Sequence, residues 1–474
     1  MNGLERDVGS SIKRGLIVII IGIIIWYLPV PAGVKPQAWH LLAIFVATIV
    51  GLILTPLPMG AVVIIGVMMT GLTGILKVGQ VLSGFANSTV WLIVAAFLIA
   101  RGFIITGLGR RIAFHFIRAF GKKTLGLAYA IEASDLVLSP ATPSNTARAG
   151  GILYPIVRSL CSTFGSEPGD SARKIGSYLM KMEYQGVVIT SAMFMTSCAI
   201  NPLVVELAKK TANVDLSWGT WFVAAIVPGV ISLLIVPYLL YKLYPPEIKE
   251  TPQASQLAHT ELEKMGPMSG REKKMIAVFV VILVLWVTGE WTKLNATLVA
   301  LLGVGIMLVT GVIKWNDVLA ERGAWDALVW FGGLVMMAGQ LNTLGLMKWF
   351  ASTAGGSVAG MGWFAALIIL ILVYFYSHYG FASLTAHTTA LFPPFLAVII
   401  AAGAPPYLAA MSLAFFSNLC AGITHYGTGP APIYFNAGYV DQGTWWKYGL
   451  LISFINIIIW MGVGFPWWKV LGLW

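Results

Sequence analysis

Apolar runs of about 17 to 25 residues recur from residue 15 almost to the end of this chain, and no other feature restricts its fold as much. In hydrocarbon such runs can satisfy their own N–H and C=O groups only as α-helices, since barrel strands read as about 10 alternating residues. The charge content agrees, with 10% of residues charged against about 25% in soluble domains. The expected fold class is an all-α polytopic membrane protein surrounded by lipid. A net charge of +11 would point to nucleic acid in a soluble domain. Here the excess cations read as cytoplasmic-loop anchors, and no nucleic-acid partner is expected. Cys161, Cys198 and Cys420 lie in apolar surroundings without CxxC or metal-ligand spacing, so they are expected to pack in the core, with no cofactor and no metal.

The basic start (Arg6, Lys13, Arg14) leads into an apolar run without a small-residue cleavage site. This predicts a first span at 15–31 with the N-terminus inside. Further spans are expected at 39–55, 60–76 and 87–107. Arg110, Arg111, Arg118, Lys122 and Lys123 follow, a cluster that alternate crossings place in the cytoplasm. Next, two apolar pieces too short to span flank the polar stretch Pro143-Ser144-Asn145-Thr146-Ala147-Arg148. That pattern predicts a re-entrant hairpin over 124–158, its tip at bilayer depth, where irregular backbone survives only inside protein or along a cavity. Neutral donors and helix N-termini at such a tip favour an anion. The segment 176–208 is expected to unwind at Pro202, after Thr196-Ser197-Cys198-Ala199-Ile200-Asn201. A span at 221–243 precedes the mixed-charge stretch 244–274, read as a cytoplasmic linker. Tryptophans near helix ends (Trp26, Trp221, Trp445, Trp446, Trp467, Trp468) read as interfacial anchors.

The second half matches the first in outline. Val90-Trp91-Leu92 has its counterpart in Val329-Trp330-Phe331, Ser144-Asn145-Thr146 in Ala386-His387-Thr388, and the break before Pro202 in Thr424-His425-Tyr426-Gly427-Thr428-Gly429-Pro430. The charges invert, because the stretch 344–362 holds only Lys348 where its counterpart holds five basic residues. Two similar halves of opposite orientation are the mark of a secondary transporter with a midplane site between its repeats. The expected organisation is an N-terminal helix at 1–38, a first repeat at 39–243, the linker at 244–274, and a second repeat at 275–474 with a hairpin at 363–403. The C-terminus is then outside a cytoplasmic membrane.

Thr142-Pro143-Ser144-Asn145-Thr146-Ala147-Arg148, Ser383-Leu384-Thr385-Ala386-His387-Thr388 and Thr428-Gly429-Pro430 carry a resemblance to a known family. From Pro36-Gln37-Ala38-Trp39-His40 to the tryptophan-rich end, the chain resembles the divalent anion:sodium symporters, the INDY-type dicarboxylate transporters. It is most similar to their citrate/succinate, tartrate/succinate and plastid 2-oxoglutarate/malate exchangers. The resemblance implies about 11 transmembrane helices in two inverted repeats with two re-entrant hairpins. It also implies a homodimer whose transport domains move as elevators on a scaffold. It assigns Ser144, Asn145, Thr146, Ala386, His387, Thr388, Thr428 and Pro430 to a di- or tricarboxylate (succinate, malate, 2-oxoglutarate or citrate type), with sodium beside the tips.

The chain departs from the sodium-coupled pattern. Histidine stands at position 387 where the symporters place asparagine, Arg148 follows the first tip, and Pro140 and Ala382 replace hydroxyl residues. Sodium needs oxygen ligands, which imidazole and guanidinium do not offer. The expectation is that Arg148 and His387 stand in for sodium as cations, making the protein a sodium-independent exchanger. The alternative is a sodium- or proton-coupled symporter for the same anions. Ser197, Asn201 and His425 are candidate helix-break contacts. Glu132 and Asp135 read as partners for Arg148, Lys181 and Glu183 as an interfacial pair, and His378 as a packing residue. No nucleophile elbow, HExxH or phosphate loop suggests an enzyme, and a channel would need rings of identical groups around its axis.

Overall fold

Capping residues set where the apolar runs begin to wind. Asn87 accepts from the Thr89 and Val90 amides at the head of Ser88–Thr106, and Asn295 accepts from Thr297 N ahead of Ala296–Val309. Pro36 opens Pro36–Leu54, where its missing N–H needs no partner. The computed structural model describes residues 8–355 and 360–474. Arg6 and part of the stretch 344–362 lie outside them. Among the described residues nine helices are long and apolar enough to cross a membrane, and Met59–Leu72 and Ala296–Val309 are shorter apolar helices. The chain is an all-helical, multi-pass membrane protein.

The same order of elements occurs twice. Pro36–Leu54, Met59–Leu72, Ser88–Thr106 and Leu108–Phe120 are followed by a hairpin, a broken helix (Gly176–Met193 and Ile200–Ala212) and Trp218–Leu243. Gly270–Val287, Ala296–Val309, Arg322–Thr343 and Leu346–Gly355 are followed by a hairpin (Trp363–Ser377 and Leu384–Ala401), a broken helix (Pro406–Leu419 and Pro430–Asn436) and Gln442–Gly462. The leading helices of both halves pack on one another, and the hairpins and broken helices form a second group. Within that group the first arm of each hairpin lies on the broken helix of its own half. The second arms cross over: Leu384–Ala401 packs along Ile200–Ala212, and Thr146–Leu153 packs against Pro430–Asn436.

Several expectations need correction. The basic stretch after Leu108 is a helix, Leu108–Phe120, not a loop, and Arg111 faces inward onto Glu272 at 2.5 Å. The first break falls at 194–199, so Pro202 sits in the first turn of Ile200–Ala212, where a missing amide does no harm. Both arms of the second hairpin are long enough to cross a membrane, whereas the first has the short arms Thr124–Leu138 and Tyr154–Thr163. Trp221, Trp445 and Trp468 are buried inside the protein rather than anchored at a surface.

The linker is strapped down. Thr124 N donates to Lys249 O (2.9 Å) and Thr251 N to Lys122 O (2.7 Å), while Glu247 N and Ile248 N donate to Arg173 O and Lys174 O. The strap therefore crosses the base of the first hairpin, touching the chain on both sides of it. Its helix, Pro252–Met265, then docks on Leu108–Phe120, burying Ala254, Ala258 and Leu262. Spacing of four residues puts these three on one face, which is what a docked amphipathic helix requires.

Candidate functional site: two hairpin tips and two helix breaks

The first tip is built around Ser144. Its hydroxyl accepts from Ala147 N (3.1 Å), and Arg148 N donates to Ser144 O (3.0 Å), starting a π-helix over Thr146–Leu153. Asn145 Nδ2 donates to Thr428 Oγ1 at 3.1 Å, so the tip meets the second break across the repeat. Gly429 fits there because it lacks a side chain: a Cβ would stand 2.0 Å from Thr146 Oγ1. Tyr434 OH completes the seam by donating to Ala149 O (3.1 Å). Pro430 is the first residue of Pro430–Asn436, as its fixed φ favours.

The second tip has the same chemistry in a register the sequence comparison missed. Ser383 Oγ accepts from Ala386 N (3.3 Å), and His387 N donates to Ser383 O (3.1 Å). Ser144-Asn145-Thr146-Ala147-Arg148 therefore corresponds to Ser383-Leu384-Thr385-Ala386-His387, three residues earlier than expected. Ala386, His387 and Thr388 are fully buried one turn inside, whereas Ser383 is half-buried like Ser144. The readable signal was the shared pattern Ser-x-Thr-Ala followed by a cationic residue type. One consequence is that Arg148 and His387 occupy equivalent positions in the two halves.

Arg148 is buried with all five of its donors engaged. Nε donates to Asp135 Oδ1 (2.6 Å), Nη1 to Thr142 O (3.0 Å) and Ser197 O (2.9 Å), and Nη2 to Thr190 Oγ1 and Ser191 Oγ (both 3.2 Å). It is thus an ion-paired cation, and of the two carboxylates expected to pair with it Asp135, one arm away on Thr124–Leu138, does so while Glu132 does not. Two carbonyls, one from the tip and one from the first break, converge on a single guanidinium nitrogen. His387 stands between Tyr374 (4.6 Å between ring centres), Phe381 and His378. Its Nε2 faces Tyr374 O (3.1 Å) and Ser377 Oγ (2.9 Å). Tyr374 holds in this half the place that Asp135 holds in the first, thirteen residues before the cationic position.

The break residues bond to main-chain and side-chain groups of the broken helices themselves. Ser197 Oγ donates to Ser191 O, and Asn201 Nδ2 donates to Ser191 O and Phe194 O, so both satisfy carbonyls left open where Gly176–Met193 ends. Asn201 Oδ1 accepts from Asn418 Nδ2 (2.7 Å), joining the two broken helices. His425 Nδ1 accepts from Trp446 Nε1 at 3.0 Å, and its ring packs beside Tyr426 and Phe435.

The family described as the sodium:sulfate symporter transmembrane region matches residues 10–474. The chain belongs to this family. It is the divalent anion:sodium symporter family of the sequence resemblance. YflS of Bacillus subtilis (strain 168), whose name marks a candidate malate transporter, is 55% identical over 475 residues, 99% of each chain. Dicarboxylate transporter 1, chloroplastic, of Arabidopsis thaliana is 50% identical over 469 residues, 98% of this chain and 84% of the relative. Among solved structures, MtrF of Neisseria gonorrhoeae shares the fold at TM-score 0.57 and 14% identity, across 98% of this chain and 95% of that one.

A symporter-family chain is a transporter and not an enzyme, so ionisable groups buried in its spans call for attention. Glu132, Lys181 and Glu183 are fully buried beside the first hairpin, and among the described residues none has a hydrogen-bond partner on its charged atoms. Lys181 Nζ lies 4.3 Å from the centre of the Trp445 ring. The expected interfacial Lys181–Glu183 pair does not form, because the two side chains leave Gly176–Met193 in different directions. Gly186 makes room for Glu132, whose Oε1 would be 2.9 Å from a Cβ there.

Proposed function

We propose that this symporter-family protein exchanges dicarboxylates across a membrane without sodium. The convergence of Thr142 O and Ser197 O on Arg148 Nη1 carries the reading. Those carbonyls are the oxygen type a sodium ion would take between tip and break, and the guanidinium already engages both. At the second tip, His387 offers nitrogen where an oxygen shell would be needed. The relatives named for malate and dicarboxylate transport supply the substrate class. Tricarboxylates such as citrate stay within the proposed range.

The carboxylates would bind at the tips. Ser144, Asn145 and Thr146 on one side and Ser383 and Thr385 on the other surround helix N-termini that favour negative charge. Thr428 would complete the site through Asn145. Arg148 acts as a fixed replacement that holds tip to break, and His387 holds the second tip to the first arm of its own hairpin. Because Asp135 neutralises Arg148, the cost of returning empty comes from unfilled N–H and O–H groups rather than from a bare cation. The moving unit would be the hairpins and broken helices, riding as an elevator on the leading helices of a homodimer in the cytoplasmic membrane. The N-terminus would be inside and the C-terminus outside, with the halves inverted at 39–243 and 275–474.

Proteoliposome uptake of labelled succinate tests this reading. Uptake into malate-loaded vesicles, equal in sodium and in choline, is expected. Sodium-dependent uptake into empty vesicles would mean instead that an ion site persists beside the guanidinium.

A further inference from the structure

His378, His387 and Cys420 come from three separate elements. His378 is in the turn His378–Gly380, His387 is in Leu384–Ala401, and Cys420 is in the turn Cys420–Ile423 that precedes the second break. All three are fully buried, and one ligand atom from each lies within 4.8 Å of the others. Among the described residues this is the one such grouping of histidine, cysteine or carboxylate side chains.

Their hydrogen bonds fix the tautomers. His378 Nε2 stands 2.8 Å from Gly427 O, and His387 Nε2 stands 3.1 Å from Tyr374 O. A carbonyl can only accept, so each Nε2 carries the proton and each Nδ1 keeps its lone pair. Among the described residues neither Nδ1 has a partner. Two imidazoles each donating one N–H to a backbone carbonyl, with the opposite lone pairs free, form the outer arrangement of metal-ligating histidines. Leaving both lone pairs unmatched in an apolar interior is costly.

We propose that Nδ1 of His378, Nδ1 of His387 and Sγ of Cys420 bind one thiophilic divalent transition-metal ion of the zinc type, clipping the second hairpin to the second helix break. Two imidazoles and a thiolate form a borderline-soft set that suits zinc and rejects sodium, calcium and magnesium. Bonds of about 2.0–2.3 Å to a tetrahedral centre place ligand atoms closer together than the 4.8 Å that bounds this grouping, so the side chains must close up on binding. Three side chains on short turns and one helix can supply that through their own rotations. On binding, the Cys420 S–H bond breaks, its proton goes to solvent and the sulfur–metal bond forms. The loaded cluster then carries one net positive charge, two from the metal less one from the thiolate. The ion would be a resident of the second half, where the first half uses the Arg148–Asp135 pair.

The site shares His387 with the exchange reading, so the test reads metal rather than transport. Purified full-length protein is equilibrated with zinc, desalted and analysed for metal by mass spectrometry. About one zinc per chain is expected, falling at least tenfold in Cys420→Ser and in His378→Gln but not in Cys161→Ser. Cobalt loading is expected to give a thiolate-to-metal charge-transfer band that Cys420→Ser abolishes. Cys420→Ala, with the melting temperature followed, serves if the serine variant does not fold. No retained zinc, equal retention in the variants, or a cobalt spectrum without the thiolate band would each overturn the proposal. Exchange by chelator-treated protein is scored separately and bears only on the transport reading.

Discussion

Arg148 is held by one carboxylate, two carbonyls and two hydroxyls, and removing any one of them has a different consequence. Asp135→Asn leaves a buried guanidinium without its counter-charge, a change that costs about 3–5 kcal/mol in buried pairs. A fall in the melting temperature of the detergent-solubilised protein is expected. Asp135→Asn combined with Arg148→Gln should recover part of that loss, because the stranded charge is gone. Arg148→Lys should not rescue function, since one ammonium cannot reach five acceptors laid out for a planar fork. Gly429 poses a steric question instead. Gly429→Ala pushes a methyl against Thr146 Oγ1 and is expected to lower the melting temperature. Adding Thr146→Ala removes the clashing oxygen and should restore it. A double variant no more stable than Gly429→Ala alone would mean that the clash is not the cause.

For the hairpins, the serine at each tip sets the register, and a hydroxyl accepting from an amide three residues on is an ordinary helix cap. Ser144→Ala and Ser383→Ala are each expected to cost about 1 kcal/mol. Thr388 is fully buried beside Tyr374, one turn past the Ser383 cap. Because the amide at this tip is capped by Ser383 and not by Thr388, Thr388→Val should cost less stability than Ser383→Ala, as unfolding in denaturant can show. A large loss in Thr388→Val with none in Ser383→Ala would restore the register read from the sequence. The strap across the first hairpin makes a separate prediction. Replacing residues 247–251 with glycine loosens the backbone that makes those main-chain bonds and removes the buried Thr251 hydroxyl that donates to Gly121 O. Hydrogen exchange should then rise at Thr124 and along the first turn of Thr124–Leu138, while the second hairpin stays protected.

Across the whole molecule, the sequence was most readable where lipid dictates composition. Long apolar runs and the polar stretches that interrupt them could be seen because hydrocarbon tolerates few polar groups and each must have a reason. Partnerships made across long sequence separations were not visible. Ala386-His387-Thr388 was matched to the first tip by order and by similar distance, 56 residues past Trp330 against 53 from Trp91 to Ser144, whereas the capping hydroxyl that decides the register is at Ser383. Asp135 was among the candidates for pairing with Arg148, but the carbonyls of Thr142 and Ser197 leave no trace in a sequence. The same holds for the His378–His387–Cys420 grouping, assembled from three elements with no common spacing. The burial of Trp221, Trp445 and Trp468 likewise depends on which neighbours cover a helix end.

The strap and the seam also impose an order in time. The base of the first hairpin can be closed as soon as residue 251 has left the ribosome, because both sides of it and the strap have then been made. Its tip must wait for Thr428, 283 residues after Asn145. At about 5–20 residues per second, that leaves the polar tip without its permanent neighbour for on the order of 15–60 s. During that interval the nascent chain holds an unfinished polar mouth in the membrane. Truncations that end before Pro430–Asn436 should be the ones a cell's quality control finds first.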